Sequence, residues 1–202
     1  MDLFAPLVVF PVTLEGQHVR LEPLTIYHLA GLCEVGLHPD LWRWNPAVIK
    51  DSDGMRTYIQ TALKWQSEGS ALPFVIIERS LNKVVGSTRF ANIDKTNKHV
   101  EIGWTWIAPQ WQRTRVNTEM KYLLLRHAFD TLGCLRVELK TDVLNEKSRK
   151  AILRTGAKQE GIFRSHVVVW DGRIRDTVYF SIIAPEWLEV RRRFETELLP
   201  RA

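Results

Sequence analysis

Two stretches of this chain bring together residue types that can do chemistry. The first runs from Glu101 through Gly103, Trp104, Trp106 and Ile107, turns at Pro109, and continues as Gln112-Arg113-Thr114-Arg115-Val116-Asn117-Thr118-Glu119. It reads as a strand that opens through a short turn onto a helix. The first amides of such a helix, those of Arg113 to Asn117, have no partner within it and point into one concavity at the positive end of the helix dipole, a place suited to phosphate. The second stretch runs from Asn145 through Ser148 to Gly156. Asn145 and Ser148 stand three apart where a helical pattern begins, the spacing of a cap and a polar first turn. A third feature is Trp42 and Trp44 in a loop ended by Pro46. They line a substrate mouth or pack the loop onto the core, and spacing alone does not choose.

The elements that position these residues follow from periodicity. His18 to Leu24 alternates like a half-buried strand. Helical patterns cover Ile26 to Val35 and Ser52 to Glu68, the latter with Asp51 and Ser52 as caps and Gly69 as its stop. Pro73 to Glu78, Lys83 to Phe90 and His99 to Ile107 form an antiparallel meander turned at Asn82 and at Asp94 to Asn97. An amphipathic helix from Asn117 to Thr131, ended by Gly133, leads to a strand from Leu135 to Thr141. The helix from Asn145 to Arg154 follows, and this alternation implies a right-handed parallel crossover. Phe163 to Trp170 and Arg175 to Ile183 flank Asp171-Gly172 as a hairpin, and a helix from Pro185 to Leu198 comes last. No internal repeat is visible.

Composition bounds the class. A chain of 202 residues, 45% hydrophobic and 25% charged, is expected to fold as one domain over 1–202 with a single core. The apolar start from Phe4 to Val12 carries Asp2 in place of a basic leader and is broken by Pro6 and Pro11, so it does not read as a signal peptide. No apolar run reaches the ~18 residues of a membrane span, and a cytoplasmic location is expected without membrane partners. Cys33 and Cys134 have no neighbours at disulfide or metal-ligand spacing; no metal is expected. The net charge of +5 favours an acidic partner, either nucleic acid or a small polyphosphate. No basic and aromatic stripe or helix-turn-helix pattern is present, and nucleic acid is not expected.

Together the two stretches resemble the GNAT superfamily of acyl-CoA N-acyltransferases, and within it the Rim-type branch that acetylates ribosomal-protein amino termini. The likeness covers about residues 14–183. It rests on the opening strand Gly16 to Leu24, on Glu101-Ile-Gly-Trp104, on the Trp-Gln turn, on the Asn145-x-x-Ser148 helix closed by Gly156, and on Arg175 to Ser181. The resemblance implies an α/β (α+β) fold: a mixed, strongly bent sheet of about seven strands flanked by helices, with strands four and five splayed. It implies acetyl-CoA as co-substrate and acetyl transfer to a primary amine by direct attack. The acceptor would be a peptide or protein amino terminus or a small amine, and the enzyme a homodimer.

Carried onto this chain, the resemblance places pantetheine on the backbone at Trp106 and Ile107, and the pyrophosphate on the amides of Gln112, Arg113, Thr114, Arg115, Val116, Asn117 and Thr118. Asn145 holds the pantetheine arm and Ser148 is the general acid. An amide between Trp104 and Trp106 polarises the thioester carbonyl. Glu101 is the proposed base, its bland alternative being an ion pair with a neighbouring strand. The later glutamate that serves some Rim-type members corresponds to Val167, with His166 beside it as an understudy. The family turn carries glycine where this chain has Arg115 and a small residue where it has Asn117, which bears on cofactor affinity. Transfer of succinyl or another acyl group, and a non-catalytic CoA-binding protein, are the alternatives.

Overall fold

The computed structural model describes residues 5–200; Asp2 and Phe4 of the apolar start lie outside them. Eight strands form one sheet: β1 (Leu14–Glu15), β2 (Val19–Pro23), β3 (Leu72–Glu78), β4 (Lys83–Asp94), β5 (His99–Ile107), β6 (Arg136–Asp142), β7 (Lys158–Val168) and β8 (Ile174–Ile183). Their spatial order is β1-β2-β3-β4-β5-β6-β8-β7. All neighbours are antiparallel except β5 and β6, which run parallel as the intervening crossover helix requires. The eighth strand is the two-residue β1, too short to show a period, which pairs Leu14 with Leu21.

Five helices cover the sheet: α1 (Leu29–Gly36), α2 (Ser52–Ser67), α3 (Arg115–Arg126), α4 (Glu146–Arg154) and α5 (Trp187–Arg193). On one face α3 and the turn that continues it pack Met120, Leu124 and Ala128 against Phe74, Phe90, Ile102 and Leu139. On the other, α1 and α2 set Leu32, Met55 and Ile59 against Val75, Ile77 and Trp106. Helix α3 starts two residues before the expected Asn117, because the Thr114 hydroxyl accepts the Val116 N–H and caps it there. Past Arg126 it continues through a π-helical turn, 127–131. The expected carboxy-terminal helix is likewise divided, with a short 3₁₀ turn before α5 and a π turn after it.

The edge strand β7 begins at Lys158, five residues before Phe163. Most of its residues are exposed, so the sequence there has no buried face to impose alternation. Its register with β8 slips twice, with Ser165 at φ 49° inside the second slip, between Phe163 and Val167.

One irregularity positions the site. Opposite Thr88 of β4, strand β5 carries two residues, Trp104 and Thr105, with Trp104 at φ 53°: a β-bulge. The bulge bends β5, and its pairing with β6 ends at Glu101 opposite Glu138. Beyond that point the two strands diverge and a cleft opens between them.

Candidate active site

The cleft has a volume of about 840 Å³ and is walled by β5, β6, α3, α4, the β8 residue Arg175 and the loop residue Trp44. Glu101, the last β5 residue paired with β6, is only 2% exposed and lies beside the cleft, whose wall begins with its neighbours Ile102 and Gly103. Oε2 of Glu101 receives Lys140 Nζ from β6 at 2.8 Å and Asn92 Nδ2 from β4 at 2.7 Å. The ion pair named as the bland reading is thus formed. Oε1 stands above Gly103, where any Cβ would collide with it, so the Glu-x-Gly spacing leaves room for a carboxylate over the cleft wall.

At the outer mouth, the turn into α3 holds a correction. The left-handed residue is Arg113, at φ 61°, whereas Arg115 opens α3 in helical conformation. The freedom a glycine would supply is therefore called for at 113 and not at 115. Gln112 donates through Nε2 to the Ile107 carbonyl at 3.0 Å and ties the turn to the end of β5. Thr114 donates to the Trp111 carbonyl at 2.7 Å while capping the helix. Arg113 and Asn117 line the cleft; Val116 is buried in the core. The Thr118 hydroxyl accepts from Arg154 at 2.7 Å, locking α3 to α4. The expected phosphate-binding run is thus shared between the cleft and the scaffold.

From the opposite wall, α4 presents Asn145 and Ser148. Oδ1 of Asn145 accepts the Ser148 N–H at 3.1 Å, so Asn145 is the cap that sequence spacing indicated as well as a lining residue. Lys147, Lys150 and Arg154 of the same helix add positive charge to the cleft beside the α3 amides. Free helix amides flanked by cations fit an anionic, phosphate-bearing ligand.

The two loop tryptophans divide. Trp42 is buried at 3%, donates to the Gly36 carbonyl at 2.8 Å and packs at a tilt against Trp106, ring centres 5.5 Å apart, which makes it core and not a mouth residue. Trp44 lines the cleft, with the guanidinium carbons of Arg43 and Arg173 4.8 and 5.7 Å from its ring. The indole of Trp106 packs in the core with its N–H toward Tyr58 at 3.3 Å, leaving the strand backbone to line the cleft. His166 sits on the edge strand against Thr177 at 3.1 Å, outside the cleft wall.

Two cations escaped the sequence reading. Lys121 of α3 lines the cleft although 8% exposed; burial pushes its ammonium down to about 7, partly opposed by Glu101. Its position four residues after Asn117 was the available signal. Arg89 is fully buried in a box of Tyr58, Trp65 and Trp104, 4.9 to 5.3 Å from their rings. Several of the eight tryptophans thus surround a cation or fill the core. Cys134 is buried and its thiol is pushed up to about 12, inert at neutral pH.

Comparison with known proteins agrees with this geometry. The family described as Acetyltransferase (GNAT) domain matches residues 18–158. The chain is 26% identical over 176 residues to p20 of Bacillus licheniformis, named an N-acetyltransferase, covering 87% of this chain and 98% of that one. It is 35% identical over 102 residues to YdaF of Bacillus subtilis (strain 168), provisionally named a ribosomal N-acetyltransferase, covering 50% of this chain and 55% of that one. A GCN5-related N-acetyltransferase from Brucella melitensis superimposes with a TM-score of 0.88 and 31% identity, over 99% of this chain and 91% of that one. With the bulged strand, the splay and the helix mouth in place, the chain belongs to the GNAT acetyltransferase family, enzymes that move an acetyl group from acetyl-CoA to an amine.

Proposed function

We propose that the acceptor is the α-amino end of a peptide or protein. The observation that carries the reading is the splay beyond Glu101 and Glu138, which opens a cleft with the α3 amides at its mouth and Glu101 against Gly103 of its wall. The provisional name of YdaF supports a protein acceptor. Acid–base chemistry supports an α-amino group, which ionises at roughly 7.7 to 8.0 against about 10.4 for lysine and is easily made nucleophilic.

The α3 amides and the cations of α4 hold the phosphates of acetyl-CoA, and Asn145 steadies the pantetheine arm. Pantetheine runs along the β5 backbone at Trp106 and Ile107 as an added strand. An amide at the bulge, between Trp104 and Trp106, polarises the thioester carbonyl. Oε1 of Glu101 takes the ammonium proton, directly or through one water, because Oε2 is already occupied by Lys140 and Asn92. The amine nitrogen bonds to the carbonyl carbon, the carbon–sulfur bond breaks, and the Ser148 hydroxyl delivers a proton to the departing sulfur and regains one from the nitrogen, which sheds its second proton as the amide forms. The enzyme acts in the cytoplasm as a homodimer; Cys33 and Cys134, both unpaired, suit a reducing compartment.

The test is incubation with acetyl-CoA and three peptides of one sequence: free amino end, blocked amino end with an internal lysine, and both free. Mass spectrometry is expected to place acetyl on the α-amino group alone. Transfer only to the lysine side chain, or only to small amines in a parallel screen, contradicts the acceptor assignment.

A further inference from the structure

Lys121 is the buried charge in the cleft that the steps above leave unused. Asn117 and Lys121 stand four apart on one face of α3 and both line the cleft, Lys121 being the more buried of the two. Its Nζ lies 3.4 Å from Thr105 Oγ1, which is 2.8 Å from Thr88 Oγ1. Thr105 belongs to the β5 bulge, where the thioester carbonyl is placed in the reading above. Among the described residues no carboxylate comes within ion-pair distance of Nζ: Glu101, which acts on it from farther off, is paired with Lys140.

The cleft wall also carries the cations Lys140 from β6, Arg175 from β8, and Lys147 and Arg154 from α4, together with the carboxylate Asp40. Burial opposes an ammonium here, and Glu101 only partly offsets it. An amine kept in such a place without a counter-ion is matched to a charge that appears there in use.

We propose that Lys121, as an ammonium, is a catalytic residue that faces the negative charge leaving with the coenzyme A sulfur. The inference rests on the acyl-transfer reading. As the nitrogen–carbon bond forms and the carbon–sulfur bond breaks, the electron pair of the broken bond stays on sulfur. Lys121 stabilises that thiolate until the proton from Ser148 arrives, and an anion at this position returns to Lys121 the counter-charge the fold withholds.

The experiment reads the bound thiol and needs no acceptor. Coenzyme A is titrated on the protein and thiolate formation followed by ultraviolet absorbance, with the desulfo-CoA complex as blank to remove protein thiols and tyrosines. A free thiol ionises near 8.5. In the unaltered protein the bound thiol is expected to ionise at least about one pH unit lower, a tenfold shift in the equilibrium. Lys121→Met is expected to abolish this shift while leaving coenzyme A affinity at pH 6 within about threefold, and Lys121→Arg to keep it, since arginine stays charged.

A bound thiol that ionises at the same pH in the unaltered and Lys121→Met proteins overturns the proposal. So does a depression that Lys121→Arg removes. Should circular dichroism show Lys121→Met unfolded, Lys121→Gln takes its place, and the absence of any depression in the unaltered protein is decisive by itself. Failure of the unaltered protein to bind coenzyme A is a different result: it defeats the acyl-transfer reading, and this inference with it.

Discussion

The Glu101 carboxylate, on the last β5 residue paired with β6, meets at 2.8 Å the ammonium of Lys140, two residues beyond the last paired residue of β6, Glu138. The contact holds the strands together beside the cleft. It also leaves Glu101 one oxygen for chemistry, and the structural and catalytic roles separate by mutation. Glu101→Gln is expected to lower acetyl transfer about a hundredfold at neutral pH, the scale of a lost general base. It also loses the ion pair, at a cost of about 1 to 3 kcal/mol given the partial exposure of Lys140. The double variant Glu101→Gln/Lys140→Met is expected to recover stability in urea unfolding without recovering activity. Recovery of both would make Glu101 purely structural.

Lys121 gives stability a pH dependence whose sign follows from its protons. The unfolded chain keeps the lysine proton up to about 10.4, whereas the folded chain releases it at about 7. Between those values the unfolded state binds more protons, so the Lys121 contribution to stability rises with pH from about 7 towards 10 and is least favourable below 7. Lys121→Met is expected to be more stable than the unaltered protein at pH 6 by a few kcal/mol, the advantage shrinking as pH approaches 10. Urea midpoints at pH 6 and 9.5 check this. A Met variant less stable at both values contradicts it.

Arg113 holds a left-handed conformation at the mouth of the cleft, which costs a side-chain-bearing residue about 1 kcal/mol relative to glycine. Arg113→Gly is expected to raise the melting temperature by a few degrees. By removing a cation that lines the phosphate end, it is also expected to weaken acetyl-CoA binding severalfold. Thermal melts and calorimetry on the one variant read the two effects separately, and a lowered melting temperature contradicts the strain argument.

Ser148 and Asn145 sit on one helix turn but are assigned different work. Ser148→Ala is expected to slow transfer more than it weakens cofactor binding. Asn145→Ala is expected to do the reverse, and to cost about 1 kcal/mol of stability through the lost cap. Asn145→Asp keeps the cap, so binding lost in both variants with stability lost only in the alanine would assign pantetheine contact to the carboxamide. Unchanged transfer in both Ser148→Ala and Asn145→Ala contradicts the site.

Much of the sheet was legible because its strands have one or both faces in the core: the meander from β3 to β5 shows this over residues 72–107. The α4 cap was legible as well, since Asn145 acts locally. Other features depend on partners distant in sequence. The ion pair of Glu101 needs β6 beside β5, which spacing does not reveal. Arg89 looks like a solvent-facing strand residue until Tyr58, Trp65 and Trp104 close over it. The left-handed turn residue was misplaced by two positions because the family pattern was aligned on Gln112, whereas the Thr114 cap fixes where α3 begins. The start of β7 has too little burial to leave a pattern.

The most direct test of the central claim is calorimetric titration of the protein with acetyl-CoA, with desulfo-CoA and ATP in parallel. The account predicts micromolar binding of both CoA species and much weaker binding of ATP, because pantetheine pairs with β5 while the α3 amides hold the phosphates. Absence of CoA binding, or ATP binding as tight as acetyl-CoA, would contradict it.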